Sequence, residues 1–278
     1  MTSVAWLGTA GLHVAGEGVS ILIDPFVTRP GLIRVGLGLP LAPDERLVDR
    51  WIGRLGMRDV RYVLVTHAHY DHVLDAPVFA RKLGAVLVGS ESVLNVARGQ
   101  GLPESSLAAA SPALRLEAGS LRIRTLPSRH GRAVLGRVPY PGHIDVPLCM
   151  PAPASAFRAG DVFSIHVETS AGAFVSHASA ATEPGMFDGL RADTVFLALA
   201  GRTDTARYLR EVPLPLGARR IVPIHFDDLF APLGETPRDL PLVRRAEFAA
   251  TARRLFPGIN VDTLPLGVPV PLFGEAEP

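Results

Sequence analysis

Residues 61–66 read RYVLVT and run directly into His67-Ala68-His69-Tyr70-Asp71-His72. The first half is a short apolar run bounded by polar residues, the mark of a strand buried on both faces. The second half gathers three imidazoles and a carboxylate, and a closed core would have to satisfy every one of their polar atoms. A metal-ligand set is the simpler reading. At i and i+2 in extended chain, His67 and His69 project to the same side and can meet one ion, while Asp71 and His72 face a neighbouring position. Imidazole with carboxylate favours zinc, with iron or manganese possible.

The sequence around this cluster alternates strand and helix signals. Ser3–Leu7, Gly11–Ala15 and Val19–Ile23 form an opening β-meander that ends at Asp24-Pro25. A helix is expected near Leu47–Leu55, and Asp75 is placed to N-cap another that stops at Gly84. Strand Ala85–Val88, helix Ser90–Arg98 and strand Leu121–Leu126 follow. Further strands are expected at Val162–Glu168, Ala173–Ser176, Thr194–Ala198 and Arg220–Ile224, and helices near Thr205–Arg210 and Leu242–Leu255. In the first of these strands Ser164, His166 and Glu168 share a face opposite Phe163, Ile165 and Val167, which reads as a polar strand face. Two stretches break the rhythm: an apolar Gly/Pro loop from Thr28 to Pro43, and residues 131–160, which carry Pro139, Pro141, Pro147, Pro151 and Pro153. No repeat or linker divides the chain, so residues 1–278 read as one α/β domain with two decorated loops at about 28–43 and 131–160.

Composition narrows the function classes. The 278 residues are 47% apolar, enough to fill a sizeable core, and 28 Lys+Arg balance 27 Asp+Glu. A nucleic-acid binder normally shows a basic surplus or stripe, so none is expected as a partner. Cys149 is the only cysteine, which excludes an intrachain disulfide, suits a reducing compartment, and is expected to pack as a small hydrophobe. With no apolar stretch long enough to span a bilayer and no basic leader, the expected location is the cytoplasm. G-x-S-x-G, G-x-G-x-x-G, P-loop and paired C-x-x-C signatures are absent.

The stretch His67-Ala68-His69-Tyr70-Asp71-His72, set between a buried strand and a helix, resembles the H-x-H-x-D-H signature of the metallo-β-lactamase superfamily. The resemblance extends from about Ser3 to Leu272 and implies a four-layer αββα sandwich of two mixed β-sheets flanked by helices. It also implies that His130 and His225, each just after a strand, complete the ligand set, and that Asp24 supports the metal site from behind. Trp6-Leu7-Gly8-Thr9-Ala10 and Pro223-Ile224-His225-Phe226-Asp227-Asp228 look most like the ascorbate-6-phosphate lactonase-like branch, a relative of the N-acylphosphatidylethanolamine phospholipase D enzymes.

One family element is missing. Where the superfamily has a strand ending in Gly-Asp, whose carboxylate bridges two metals, this chain reads Ala173-Phe174-Val175-Ser176-His177-Ala178-Ser179-Ala180, so His177 or Ser179 stands in its place. A neutral imidazole has one free lone pair and a hydroxyl is a poor ligand, so neither bridges two dications well. The expectation is a tight site of His67, His69 and His130 and a weaker or absent one of Asp71, His72 and His225, which His177 could rescue.

The implied activity is a metal-dependent hydrolase in which Asp71 orients a metal-bound hydroxide and shuttles its proton. Asp227 or Asp228 is expected to orient the His225 imidazole. Arg129 and Arg132 are candidates for binding an anionic group, and Tyr140 and His143 for touching substrate. The resemblance places both loops at the mouth of the metal groove, and their apolar side chains suggest a small or lipophilic ester, lactone or phosphoester, or alternatively a homo-oligomer interface. Two rival readings are a mononuclear iron oxidoreductase of the same fold and a non-catalytic metal-binding or interaction protein that has lost the bridging aspartate.

Overall fold

The computed structural model describes all residues except 1, 17, 235, 242 and 275–278. Strands β1 (Ser3–Gly8), β2 (Gly11–Gly16) and β3 (Val19–Ile23) form the expected antiparallel meander. Helices α1 (Leu32–Gly36) and α2 (Glu45–Leu55) lead to β4 (Val60–Leu64), the single-turn helix α3 (Tyr70–Val73), α4 (Ala76–Leu83), β5 (Val86–Gly89), α5 (Glu91–Gly99) and β6 (Leu107–Ala109). The second half holds β7 (Arg115–Ala118), β8 (Leu121–Ser128), β9 (Val162–Thr169), β10 (Gly172–His177), β11 (Thr194–Ala198), α6 (Thr205–Glu211), α7 (Pro213–Leu216) and β12 (Arg220–Ile224). It closes with α8 (Arg245–Leu255), β13 (Asn260–Val261) and β14 (Val270–Pro271).

The strands assemble into two 7-stranded sheets, ordered β14-β1-β2-β3-β4-β5-β6 and β13-β12-β11-β10-β9-β8-β7. Each is mixed. The first is parallel from β3 to β6 and the second from β10 to β13, and antiparallel strands complete both. Their inner faces share one apolar core, with Leu12, Ile21, Leu64, Ile123, Phe174 and Val222 all buried. This is the helix-flanked pair of sheets that the sequence resemblance implies. It also positions the chemistry: β3, β4 and β5 run together in one sheet, β8, β10, β11 and β12 in the other, and side chains just beyond strand carboxyl ends are where such sheets present ligands.

Local signals account for most boundaries. Asp44 caps α2 by accepting the N–H groups of Arg46 and Leu47, and Ser90 caps α5 by accepting that of Val93, contacts worth roughly 0.5–2 kcal/mol each. Helix α4 carries Pro77 in its first turn and ends at Gly84, as expected. Asp75, however, does not cap it. Its own backbone is helical (φ −92°, ψ −17°), and its Oδ2 instead accepts the N–H groups of Val27 and Thr28, each at 2.7 Å, tying the first long loop to the helix.

Other expectations are corrected. The 28–43 segment contains α1, a helix with no buried residue. Leu242 lies outside the described residues, and the last helix starts at Arg245 after Arg244 in the left-handed region. Cys149 is exposed rather than packed: it lies in the long 131–160 loop, where the neighbouring Leu148 N–H donates to the Asn95 carbonyl at 2.9 Å. His166 lies on no solvent-facing strand face: β9 sits between β8 and β10 and is buried on both faces, so His166 donates from Nε2 to the Arg191 carbonyl at 2.9 Å. Among the described residues no helix is long and apolar enough to cross a membrane.

Candidate metal centre

The buried end of β4 delivers the cluster. Buried Val65 and Thr66 follow the strand, Val65 N–H still donating to the Val88 carbonyl, and His69 then leads into α3 with an extended backbone (φ −66°, ψ 148°). From the other sheet, His130 arrives after β8 and His225 after β12. His67 Nε2 lies 3.1 Å from His69 Nδ1, which lies 3.0 Å from His130 Nε2. In a tetrahedral zinc site with bonds of 2.0–2.1 Å, ligand atoms stand roughly 3.3 Å apart. Two of the three nitrogen pairs therefore stand close to that spacing, and all three ligand atoms lie within 4.8 Å of one another.

The remaining ring nitrogens explain why these corners face inward. His69 donates from Nε2 to the Pro139 carbonyl at 2.8 Å and His130 from Nδ1 to the Gly131 carbonyl at 2.6 Å. Thr66 Oγ1 donates to Asp24 Oδ2 at 2.6 Å, which leaves its lone pair to accept from His67 Nδ1 at 3.1 Å. Each imidazole so held has one unprotonated nitrogen aimed at a common point, the usual way outer partners orient metal-binding histidines. Burial pushes all three toward neutrality: it holds His69 at a pKa of about 4 and His130 at about 3, with neighbouring imidazoles adding to the effect at His130, and drives His67 well down.

Asp71, His72 and His225 form a second convergent group beside the first. Asp71 Oδ2 is 3.1 Å from His225 Nε2 and 3.7 Å from His72 Nε2. Burial opposes the charge on Asp71, yet His72 and His225 outweigh it and hold the carboxyl far below its ordinary range. Burial likewise opposes a charged His72, and Asp24 and Asp71 reverse it, raising the pKa. Asp24 links the two groups: Oδ1 accepts the Thr66 N–H at 2.7 Å, and Oδ2 accepts from Thr66 Oγ1 and, at 2.9 Å, from His72 Nδ1. Asp24, His225 and Thr9 all hold positive φ (42°, 50° and 48°), strain of about 1–3 kcal/mol each that the packed site sustains.

Asp227 and Asp228 do not reach the His225 imidazole, whose buried Nδ1 has no hydrogen-bond partner among the described residues. Asp227 acts one step removed. Its Oδ1 accepts the Thr9 N–H at 2.8 Å and its Oδ2 pairs with buried Arg29 at 2.9 Å, while the Thr9 carbonyl accepts the His225 N–H at 2.7 Å. Asp228 accepts the N–H of Phe230 in a turn. Trp6 stacks on Phe226 at 5.0 Å, so the two segments carrying the finer resemblance pack on each other.

A cavity of about 740 Å³ opens over both groups, and His69, Asp71, His130 and His225 all line it. Ser179 is on its wall, with Oγ accepting the Gly131 N–H at 3.0 Å. His177 is not on that wall: its Nδ1 meets Ser164 Oγ at 2.7 Å, its ring packs on Phe187 and Tyr208, and burial lowers its pKa to about 4. Tyr140 and Arg132 line the cavity, whereas Arg129 pairs with Glu183 outside it and His143 is exposed away from it. Both long loops reach the rim, through Val35 and Val134, and an antiparallel bridge between Leu41 and Ala152 ties them together. Sequence reasoning missed Arg202, Phe230 and Val243, which also line the cavity. Arg202 had a usable signal, since Gly201-Arg202 follows a buried strand just as His67 does.

Comparison with known proteins agrees with this geometry. A model of the metallo-beta-lactamase superfamily matches residues 8–153. A UPF0173 metal-dependent hydrolase, MK1542 of Methanopyrus kandleri, is 32% identical over 135 residues, covering 48% of this chain and 49% of that protein. The chain thus spans about half the length of the curated relatives it matches. In structure the chain is similar to Igni18, a metallo hydrolase from Ignicoccus hospitalis, with a TM-score of 0.60 at 18% identity over 97% of both chains. It is also similar to CmlA, a diiron beta-hydroxylase from Streptomyces venezuelae, with a TM-score of 0.59 at 14% identity over 95% of this chain and 53% of that one. At such identities the likeness is one of fold, and the fold hosts more than one chemistry. The strand-end histidines, the paired mixed sheets and the matched family model together place this chain in the metallo-beta-lactamase superfamily.

Proposed function

We propose that the protein is a metal-dependent hydrolase whose tight ion, zinc, is held by His67, His69 and His130, with a weaker second position at Asp71, His72 and His225. The observation that carries this reading is the convergence of three ring nitrogens at 3.0–3.1 Å while their opposite nitrogens are engaged. Neutral imidazoles so close have no stable hydrogen-bond pattern among themselves, and a shared cation resolves it. Bound there, the metal supplies Lewis acidity toward a carbonyl or phosphoryl oxygen and lowers the pKa of a water.

The chain's own residues do the rest. Asp71 lines the cavity as a carboxylate, and Oδ2 takes the proton of the attacking water and delivers it to the leaving oxygen. His225 Nε2, 3.1 Å away, fixes the direction of that oxygen. Ser179 replaces a bridging carboxylate with a hydroxyl already engaged by Gly131, which supports unequal ion affinities. Apolar residues at the rim, among them Val35 and Val134, favour a small or lipophilic ester, lactone or phosphoester. Titration of metal-free protein with zinc, with occupancy counted, tests the ligand sets: one tight and one weak ion are expected, and two equally tight ions contradict the reading. A panel of aryl esters, lactones and phosphodiesters with metal present tests the chemistry, and no turnover on any class contradicts it.

A further inference from the structure

Beside His130, the loops that follow β8 and β11 touch. A β-carbon on Gly131 would lie 3.1 Å from the Gly201 carbonyl oxygen, and one on Gly201 would lie 3.1 Å from the Ala133 β-carbon. Gly201 also holds φ 82°, a conformation that side-chain-bearing residues rarely adopt. This close approach brings Arg132 and Arg202 to a stretch of wall shared by the main cavity and an adjoining one of about 420 Å³.

The two guanidinium groups differ from their neighbours. Arg129 and Arg207, which line the adjoining cavity, are neutralised by Glu183 and Glu211. Among the described residues, neither Arg132 nor Arg202 has a carboxylate within ion-pair distance. Arg202 is nevertheless held in place: Nε donates to Thr205 Oγ1 at 3.0 Å, Nη1 donates to the Leu199 carbonyl at 3.1 Å, and the guanidinium lies over Phe248 at 5.4 Å. Glu247 on the same cavity acts on Arg202 from beyond ion-pair distance and is itself paired with Arg244; a half-buried, pre-positioned cation without a directly paired carboxylate costs free energy that a bound oxyanion returns. A guanidinium also matches carboxylate and phosphate geometry, and the spare N–H donors of Arg202 and the unengaged fork of Arg132 remain to make those bonds. The main cavity is also lined by the apolar side chains of Leu229, Phe230 and Val243.

We infer that Arg132 and Arg202 form an anion subsite, so that the substrate carries an oxyanion group, a carboxylate or phosphate, on one side of the scissile bond and an apolar part against Leu229, Phe230 and Val243. The inference rests on the hydrolase reading for the word substrate, and on the cavity alone for the anion. The subsite selects, and His130 and Asp71 mark where the bond is cut.

Two measurements test it on the metal-loaded protein. The first compares kcat/KM for p-nitrophenyl hexanoate, mono-p-nitrophenyl adipate and the p-nitrophenyl ester of 6-phosphooxyhexanoate. The anionic esters are expected to be preferred about tenfold or more, with the preferred anion separating carboxylate from phosphate, and the preference is expected to fall about tenfold in Arg132→Gln and further in the double variant with Arg202→Gln. Arg132 is exposed and makes no side-chain hydrogen bond or ion pair among the described residues, so its variant does not confound selectivity with folding. The second measurement is independent of turnover: adipate or inorganic phosphate is expected to raise Tm in the wild type and not in the double variant. Equal anionic preference in wild type and variants, or a Tm response that survives both substitutions, overturns the subsite. If no ester is cleaved while the arginine-dependent Tm shift persists, the hydrolase reading fails and the subsite stands. Cleavage of neutral and anionic esters alike, without a Tm shift, does the reverse.

Discussion

The two ligand groups, a few ångströms apart, are built on opposite electrostatic plans. His67, His69 and His130 are buried imidazoles whose charged forms are suppressed, so they present lone pairs and no charge. Asp71, His72 and His225 surround a carboxylate held ionised by its neighbours, with Asp24 behind it. The first group is a socket completed by geometry alone. The second carries the negative charge of the two groups, on Asp71, which lines the cavity; on the proposed reading proton transfer falls to it and tight ion binding to the first.

That division can be broken at several points. The largest effect is expected from His67→Ala, which should abolish tight zinc binding, whereas His225→Ala should remove only the weaker ion; metal content after dialysis separates them. Asp71→Asn should lower turnover by about 10³ while changing affinity for the tight ion much less, within the range typical of general acid–base groups. Wild-type turnover in that variant would remove Asp71 from the chemistry.

A buried histidine outside the ion sites tests whether burial alone neutralises imidazole here. For His177 the folded pKa of about 4 lies below the unfolded value of 6.5, so the unfolded chain binds the proton first. Its contribution is fully present above pH 6.5 and is lost as pH falls toward 4, by up to about 3 kcal/mol. His177→Gln should flatten the acid limb of the stability profile relative to wild type in denaturant titrations, and an unchanged limb would show that His177 protonates freely. Asp24→Asn should weaken metal binding about 10–100-fold, as loss of an outer partner commonly does. The smallest expected effect is a gain: Ser179→Asp should tighten the second ion about tenfold, roughly 1.4 kcal/mol, and no change in its affinity would show that the missing carboxylate does not set the imbalance.

Much of the fold was legible because its signals are local. The meander, β4, the spans of α2 and α5 and the Gly84 stop each depend on a few adjacent residues. The edge strands β6, β7, β13 and β14 were not legible, because strands of two to four residues exist only by pairing with a neighbour. Asp75 was misread for a similar reason: capping is a local option, and a partner some 47 residues away in sequence took its carboxylate. His177 and Ser179 could not be separated by strand periodicity, since β10 ends at His177 and alternation no longer applies beyond it.

The sequence by itself determined the ligand types, the strand-end spacing that turns His67, His69, Asp71 and His72 toward one edge, and the absence of a carboxylate at 177 and 179. Only the tertiary structure decided which atoms converge. Which ring nitrogen each histidine keeps free depends on Asp24 and the carbonyls of Pro139 and Gly131, and the cavity's charge depends on which arginines find carboxylates. Those choices are made between residues far apart in sequence, by hydrogen bonds and ion pairs that form only when the two sheets close on each other.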